Sequence, residues 1–157
     1  MGYEAPFAAA EAGDFGETEH LLIWAWRRLA ADRDSVPSLM MRFAQICGEE
    51  GPELLLTLCV FVDALTYASP RPPVLGAPGC ATITADERQT LTLLAAIQAD
   101  RPARLEAQLC WATLPERRSI VEIAANALVG ALHANNLGIM PPARVPATQC
   151  ERPRFAA

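Results

Sequence analysis

The sequence contains no lysine and few aromatic residues. All 13 of its basic residues are arginines, and 18 acidic residues give a formal net charge of −5. A protein that binds the phosphate backbone of a nucleic acid needs a basic surface that displaces counterions. The acidic balance therefore predicts that nucleic acid is not a partner.

Residues that favour β-strands are also scarce. Val, Ile and Thr are scattered along the chain, whereas alanine and leucine supply much of the 52% hydrophobic fraction. These two residues lose little conformational freedom on entering a helix. The composition predicts an all-α fold, and 157 residues suit a single domain.

The five cysteines are an odd number and show no close pairing. They are Cys47, Cys59, Cys80, Cys110 and Cys150. This pattern is typical of reduced, buried thiols, and no secretory signal is evident at the N-terminus, so we expect a cytoplasmic protein. The longest apolar run, from Leu54 to Leu65, is interrupted by Asp63 and is too short to cross a membrane.

Helical periodicity and start signals divide the chain into three parts. We expect a flexible N-terminal segment over 1–13, a helical-bundle domain over 14–140 and a proline-rich tail over 141–157. The six predicted helices cover about 15–31, 35–47, 51–68, 84–100, 103–112 and 113–136. Their mostly short links predict a compact, largely antiparallel bundle with a Pro/Gly-rich loop between the third and fourth helices.

Three capping boxes fix the predicted helix starts: Asp14 with Glu17, Thr84 with Glu87, and Thr113 with Glu116. Gly138 is the predicted stop of the sixth helix.

The loop over 69–83 holds four prolines and Cys80, and its function is open to two interpretations. A phosphate-binding loop needs several glycines and usually a lysine. This loop has two glycines and no lysine. A reactive Cys80 needs an electropositive setting, which the sequence does not show. The loop is therefore interpreted as a connector between two helices.

The sixth predicted helix carries a narrow polar stripe of Glu122, Asn126 and His133 on an otherwise apolar sequence. This pattern predicts a helix covered by protein on nearly every side, either as the central helix or against a second copy of the protein. The stripe is either its one solvated edge, with Arg118 and Glu122 as an ion pair, or an inward ligand or metal site built on Glu122 and His133. We expect the solvated edge and assign no metal or cofactor.

Asp63 lies within the most apolar stretch, where an unpaired carboxylate is costly to bury. It is either at a surface or paired with an arginine, or it is a buried acid or base. Thr66 and Tyr67 lie on the same side of the helix as possible hydrogen-bond donors.

The tryptophans offer a further candidate surface. Trp24 lies beside Arg27 on one face of the first helix, and Trp26 lies on the other. Trp24 either forms a cation–π pair with Arg27 or Arg28 or is an interface anchor; alternatively, both tryptophans belong to the core and the arginines are solvated. Trp111, near the end of the fifth helix, is a third possible interface or pocket residue.

We expect a non-catalytic protein that acts by association, as a homodimer or with a protein partner. The third and sixth helices are apolar nearly all round, more than a small bundle easily covers. The alternative is a bundle that binds a small apolar ligand in an internal pocket. An enzyme that uses Asp63, His133 or a cysteine is a third interpretation, which a shared cleft for Asp63 and His133 would favour.

Overall fold

The computed structural model describes residues 15–140. Helix accounts for 76% of them, and none of them lies in a strand, which confirms the all-α class. The predicted flexible segment 1–13 and the predicted tail 141–157 lie outside the described residues, and so does Asp14.

The chain forms successive α-helical stretches, and all the links between them are short except the one between the third and fourth. They are α1 (Glu17–Ala31), α2 (Val36–Cys47), α3 (Gly51–Ala68), α4 (Ala85–Gln98), α5 (Pro102–Ala112) and α6 (Arg118–Ala134). Turns of 3-10 helix precede and follow α2, so that Arg33–Ala68 counts as one helical segment of 36 residues. Five helical segments result, and the predicted number of six is not confirmed.

The same stretch, Arg33–Ala68, is the one described helical segment long and apolar enough to cross a membrane by length and composition alone. Half of its most apolar 18-residue window is buried inside the protein.

Two glycines shape the turn inside this segment. Gly48 has a φ of 73°, a conformation that glycine adopts without steric cost. Gly51, at the start of α3, lies so close to α2 that a Cβ there would be 2.1 Å from the carbonyl oxygen of Phe43. This close approach lets the start of α3 pack against the end of α2.

The helix starts only partly follow the predicted capping boxes. The box of Thr84 and Glu87 is present at α4 and is confirmed. The box of Asp14 and Glu17 is wrong, because Gly16 is the N-cap of α1 and provides no side-chain cap.

The third predicted box, at Thr113, is also wrong. The Thr113 hydroxyl donates to the carbonyl of Leu109 and closes α5, while the 3-10 turn Pro115–Arg117 leads into α6. The chain leaves α6 at Asn136, whose φ is 55°, rather than at Gly138.

The core is one cluster of buried hydrophobic side chains to which all the helices and Ile139 contribute. The most extensive packing is between α3 and α6, and α4 lies against α5 and α6. Leu54, Leu55 and Phe61 of α3 are fully buried, and so are Val121 and Leu128 of α6. Residues 69–84, between α3 and α4, contain no helix.

Candidate interaction surface

A buried ion pair between Arg27 and Glu87 ties α1 to the start of α4. The Arg27 Nε donates to Oε1 of Glu87 at 2.6 Å, and Nη2 donates to Oε2 at 2.8 Å. The remaining guanidinium hydrogens reach three carbonyls of the preceding loop, those of Ala77, Cys80 and Thr82. All five N–H donors of the arginine are therefore used, and the loop is wrapped around it.

Glu87 collects further hydrogen bonds from the same loop. The backbone N–H groups of Gly76 and Thr84 donate to its two oxygens. Burial alone would raise the pKa of Glu87, but the hydrogen bonds from Arg27, Thr84 and Gly76 outweigh it and hold the pKa below its usual value. The loop thus has a packing role. Cys80, although part of the loop, is exposed to the solvent.

The sequence did not indicate this pair, and both interpretations of Arg27 are wrong. Arg27 was expected to be solvated or to contact Trp24, but it is buried against Glu87. Trp26 belongs to the core, and Trp24 is half-buried against it. The cation–π contacts within 15–140 are instead Arg88 over Phe15 and Arg117 over Tyr67, the latter 4.3 Å from the ring centroid.

Asp63 is a surface residue rather than a buried acid. Its carboxylate forms an exposed ion pair with Arg33 at 2.5 Å. Thr66 donates to the carbonyl of Val62 and not to Asp63, and Tyr67 is exposed beside Arg117. No hydrogen bond joins Asp63 to His133 among the described residues, and the geometry gives neither residue the partner that general acid–base chemistry needs.

Two cysteines of the apolar helices are poor nucleophiles. Burial raises the pKa of the Cys47 thiol. Burial and the nearby Asp63 carboxylate raise that of Cys59. Because the thiolate is the reactive form, both side chains behave as small hydrophobic residues. No group of three His, Cys, Asp or Glu within 15–140 is arranged to hold a metal ion.

The predicted polar stripe of α6 is fully solvated. Glu122, Asn126 and His133 are all exposed, and the Asn126 amide donates to the carbonyl of Glu122 on its own helix. Arg118 and Glu122 do not form the expected ion pair.

Within a single copy of the chain, α6 is not covered on nearly every side. Five residues of α6 are buried: Val121, Ala124, Ala125, Leu128 and Leu132. A broad flank faces the solvent instead. It includes a row of exposed apolar or small residues, which we call the α6 seam: Ile120, Ile123, Ala127, Gly130 and Ala134. Ile123 is 71% exposed and Ile120 44%.

A second buried glutamate has no local sequence signal. Glu19 of α1 is fully buried; its Oε1 accepts the backbone N–H of Met140, and its Oε2 has no hydrogen-bond partner among the described residues. The contact attaches residue 140 to α1. Gln98 holds the neighbouring residue, because its amide both donates to and accepts from the backbone of Ile139 at 2.8 Å.

Trp111 lies at the mouth of a groove and is 79% exposed. The groove has a volume of about 360 Å³ and runs between the end of α3, the start of α4 and the end of α5. Leu65, Pro70, Pro73 and Ala112 form much of its apolar wall. It opens to the solvent and is not the internal pocket of the alternative prediction.

The chain matches no protein-family model, and neither the curated proteins nor the solved structures contain a significant match to it.

Proposed function

We propose that the protein is a cytoplasmic, non-catalytic homodimer in which the α6 seam of one copy packs against that of the other. The observation that carries this proposal is the spacing of the seam. Its exposed residues follow one another at intervals of three, four, three and four, which is the heptad pattern of helices that pack side by side. Exposed apolar surface of this kind is typical of interaction sites.

The distribution of side-chain size along the seam favours an antiparallel pair. The large residues, Ile120 and Ile123, lie in its N-terminal half, and Gly130 and Ala134 lie in its C-terminal half. When the seams of two copies run antiparallel with their Ala127 residues side by side, Ile123 of one copy lies opposite Gly130 of the other. Ile120 then lies opposite Ala134. A Cβ built at Gly130 would meet no atom within 4 Å, so an isoleucine of a second copy has room there.

The polar stripe beside the seam is self-complementary in the same arrangement. Glu122 precedes Ala127 by five residues, and His133 follows it by six. A two-fold axis near Ala127 therefore places the carboxylate of one copy near the imidazole of the other, twice per dimer. An interface of identical patches with this reciprocity is typical of homodimers.

Ile123→Glu tests the proposal, because it places a charge at the most exposed hydrophobic residue of the seam. The matched control is Met41→Glu, an equally exposed position on α2. We expect light scattering after size-exclusion chromatography to show a dimer for the wild type and the control, and a monomer for Ile123→Glu. Equal masses for the two variants would contradict the proposal.

A further inference from the structure

The groove at Trp111 has free hydrogen-bond donors, and its carboxylate is already engaged. Asp86 supplies the carboxylate of the groove. It accepts two hydrogen bonds from Arg71, at 2.8 and 3.1 Å, and one from the backbone N–H of Val74 at 2.7 Å. The indole N–H of Trp111 and the amide of Gln89 have no hydrogen bond within the described part of the chain. An apolar occupant that offers hydrogen-bond acceptors therefore fits the groove.

A proline-rich strand in an extended conformation meets both requirements. Proline presents an apolar ring and a carbonyl but no N–H, and its polyproline conformation is already ordered before it binds. Grooves lined by aromatic residues recognise such segments through ring stacking and through donors to the exposed carbonyls. Trp111 supplies the aromatic face, and Gln89 supplies donors.

The chain contains a proline-rich sequence directly after the described residues. Residues 141–157, PPARVPATQCERPRFAA, hold four prolines, and their three arginines outnumber a single glutamate in a chain that is acidic overall. We propose that the groove binds this segment of the same chain, with a proline ring stacked on Trp111. The proposal is independent of the homodimer, because no residue of α6 lines the groove.

The length of the segment is sufficient. Ile139 is attached to Gln98 at the end of α4, and the groove lies at the start of the same helix. The 14 residues of α4 span about 21 Å at 1.5 Å per residue. Seventeen residues in the polyproline conformation reach about 50 Å, which allows the segment to pass around α4 as well as along it.

Limited digestion of the full chain with trypsin tests this assignment, because Arg144 lies within the segment. At a low trypsin concentration, the cleavage rate follows the population of the undocked segment. The reference for an undocked segment is a synthetic peptide of residues 137–157. We expect release of the fragment that begins at Val145 to be at least about tenfold slower from the full chain than from the peptide.

Three full-chain variants locate the docking site. Trp111→Ala and Gln89→Ala should each accelerate the release severalfold, whereas Met41→Ala, an exposed position on α2, should leave it unchanged. Circular dichroism verifies that each variant is folded. A wild-type rate equal to that of the peptide would overturn the proposal, as would a slow rate that neither groove variant alters. A rate that falls with protein concentration would show docking between copies and would overturn docking within the chain.

Discussion

Arg27 and Glu87 are 60 residues apart and meet in a bidentate ion pair from which water is excluded. Through this pair, α1, the loop before α4 and the first turn of α4 are held at a single point. An ion pair of this kind is costly to assemble but costlier to break, because removal of one partner leaves a buried charge without compensation.

Glu87→Gln should therefore lower the free energy of unfolding by about 3–5 kcal/mol. The control is Asp63→Asn, which breaks the exposed pair with Arg33 and should cost at most about 1 kcal/mol. Urea denaturation at one fixed protein concentration measures both. Similar losses for the two variants would mean that the buried pair has no special role in stability.

Stability should also fall in acid because of Glu87. Its pKa in the folded protein lies below the usual value of about 4.5. The stabilisation is therefore fully present above about pH 4.5 and is lost as the pH falls through the folded pKa. The double variant Arg27→Met, Glu87→Leu removes the pair without leaving a charge. Urea denaturation of this variant from pH 6 to pH 3 should show a flatter dependence than the wild type, and an unchanged slope would contradict the assignment.

Glu19 and Glu87, both fully buried, should differ in how much stability they lose on substitution by glutamine. Glu19 has no cationic partner within the described residues, and one of its oxygens has no hydrogen bond. Glu19→Gln keeps an acceptor for the N–H of Met140 and removes a buried carboxyl group that has no cationic partner within the described residues. We expect a change of less than about 1 kcal/mol, or a gain in stability. A loss as large as that of Glu87→Gln in the same urea titration would show a charged partner for Glu19.

Gly76 should not tolerate a side chain. A Cβ there would lie 2.4 Å from Nη2 of Arg27, and the guanidinium cannot move away without losing hydrogen bonds. Gly76→Ala should lower the thermal unfolding midpoint by several degrees, in line with a loss of about 1–3 kcal/mol. Gly138→Ala is the control, because a Cβ there meets no atom within 4 Å. Equal midpoints for the two variants would contradict the close packing of the loop on Arg27.

Local sequence signals predicted the features that depend on local contacts. The Thr84–Glu87 capping box needs residues three apart, and it forms. The bounds of α3 follow from Pro52 in its first turn and from the proline-rich loop after it, and they agree with the structure. The same kind of signal failed at Thr113, because its hydroxyl has a competing acceptor in the preceding helix, the carbonyl of Leu109.

Long-range pairing and burial were not predictable in the same way. Nothing near Arg27 or Glu87 in the sequence distinguishes them from solvated charges, so their pairing becomes visible only when the helices are packed. Part of the exposed flank of α6 consists of alanine and glycine, which count as apolar yet are small enough to remain in water at little cost. Ile120 and Ile123 are the large exceptions, and a second copy covers them in the proposed homodimer. The polar stripe was located correctly, but its neighbour, the α6 seam, was not recognised as a second exposed row.

Sedimentation equilibrium of the wild-type full chain at tens of micromolar tests the proposed homodimer most directly. The account predicts a mass of twice 16.9 kDa, with dissociation on dilution. A single species of 16.9 kDa across the whole concentration range would contradict it.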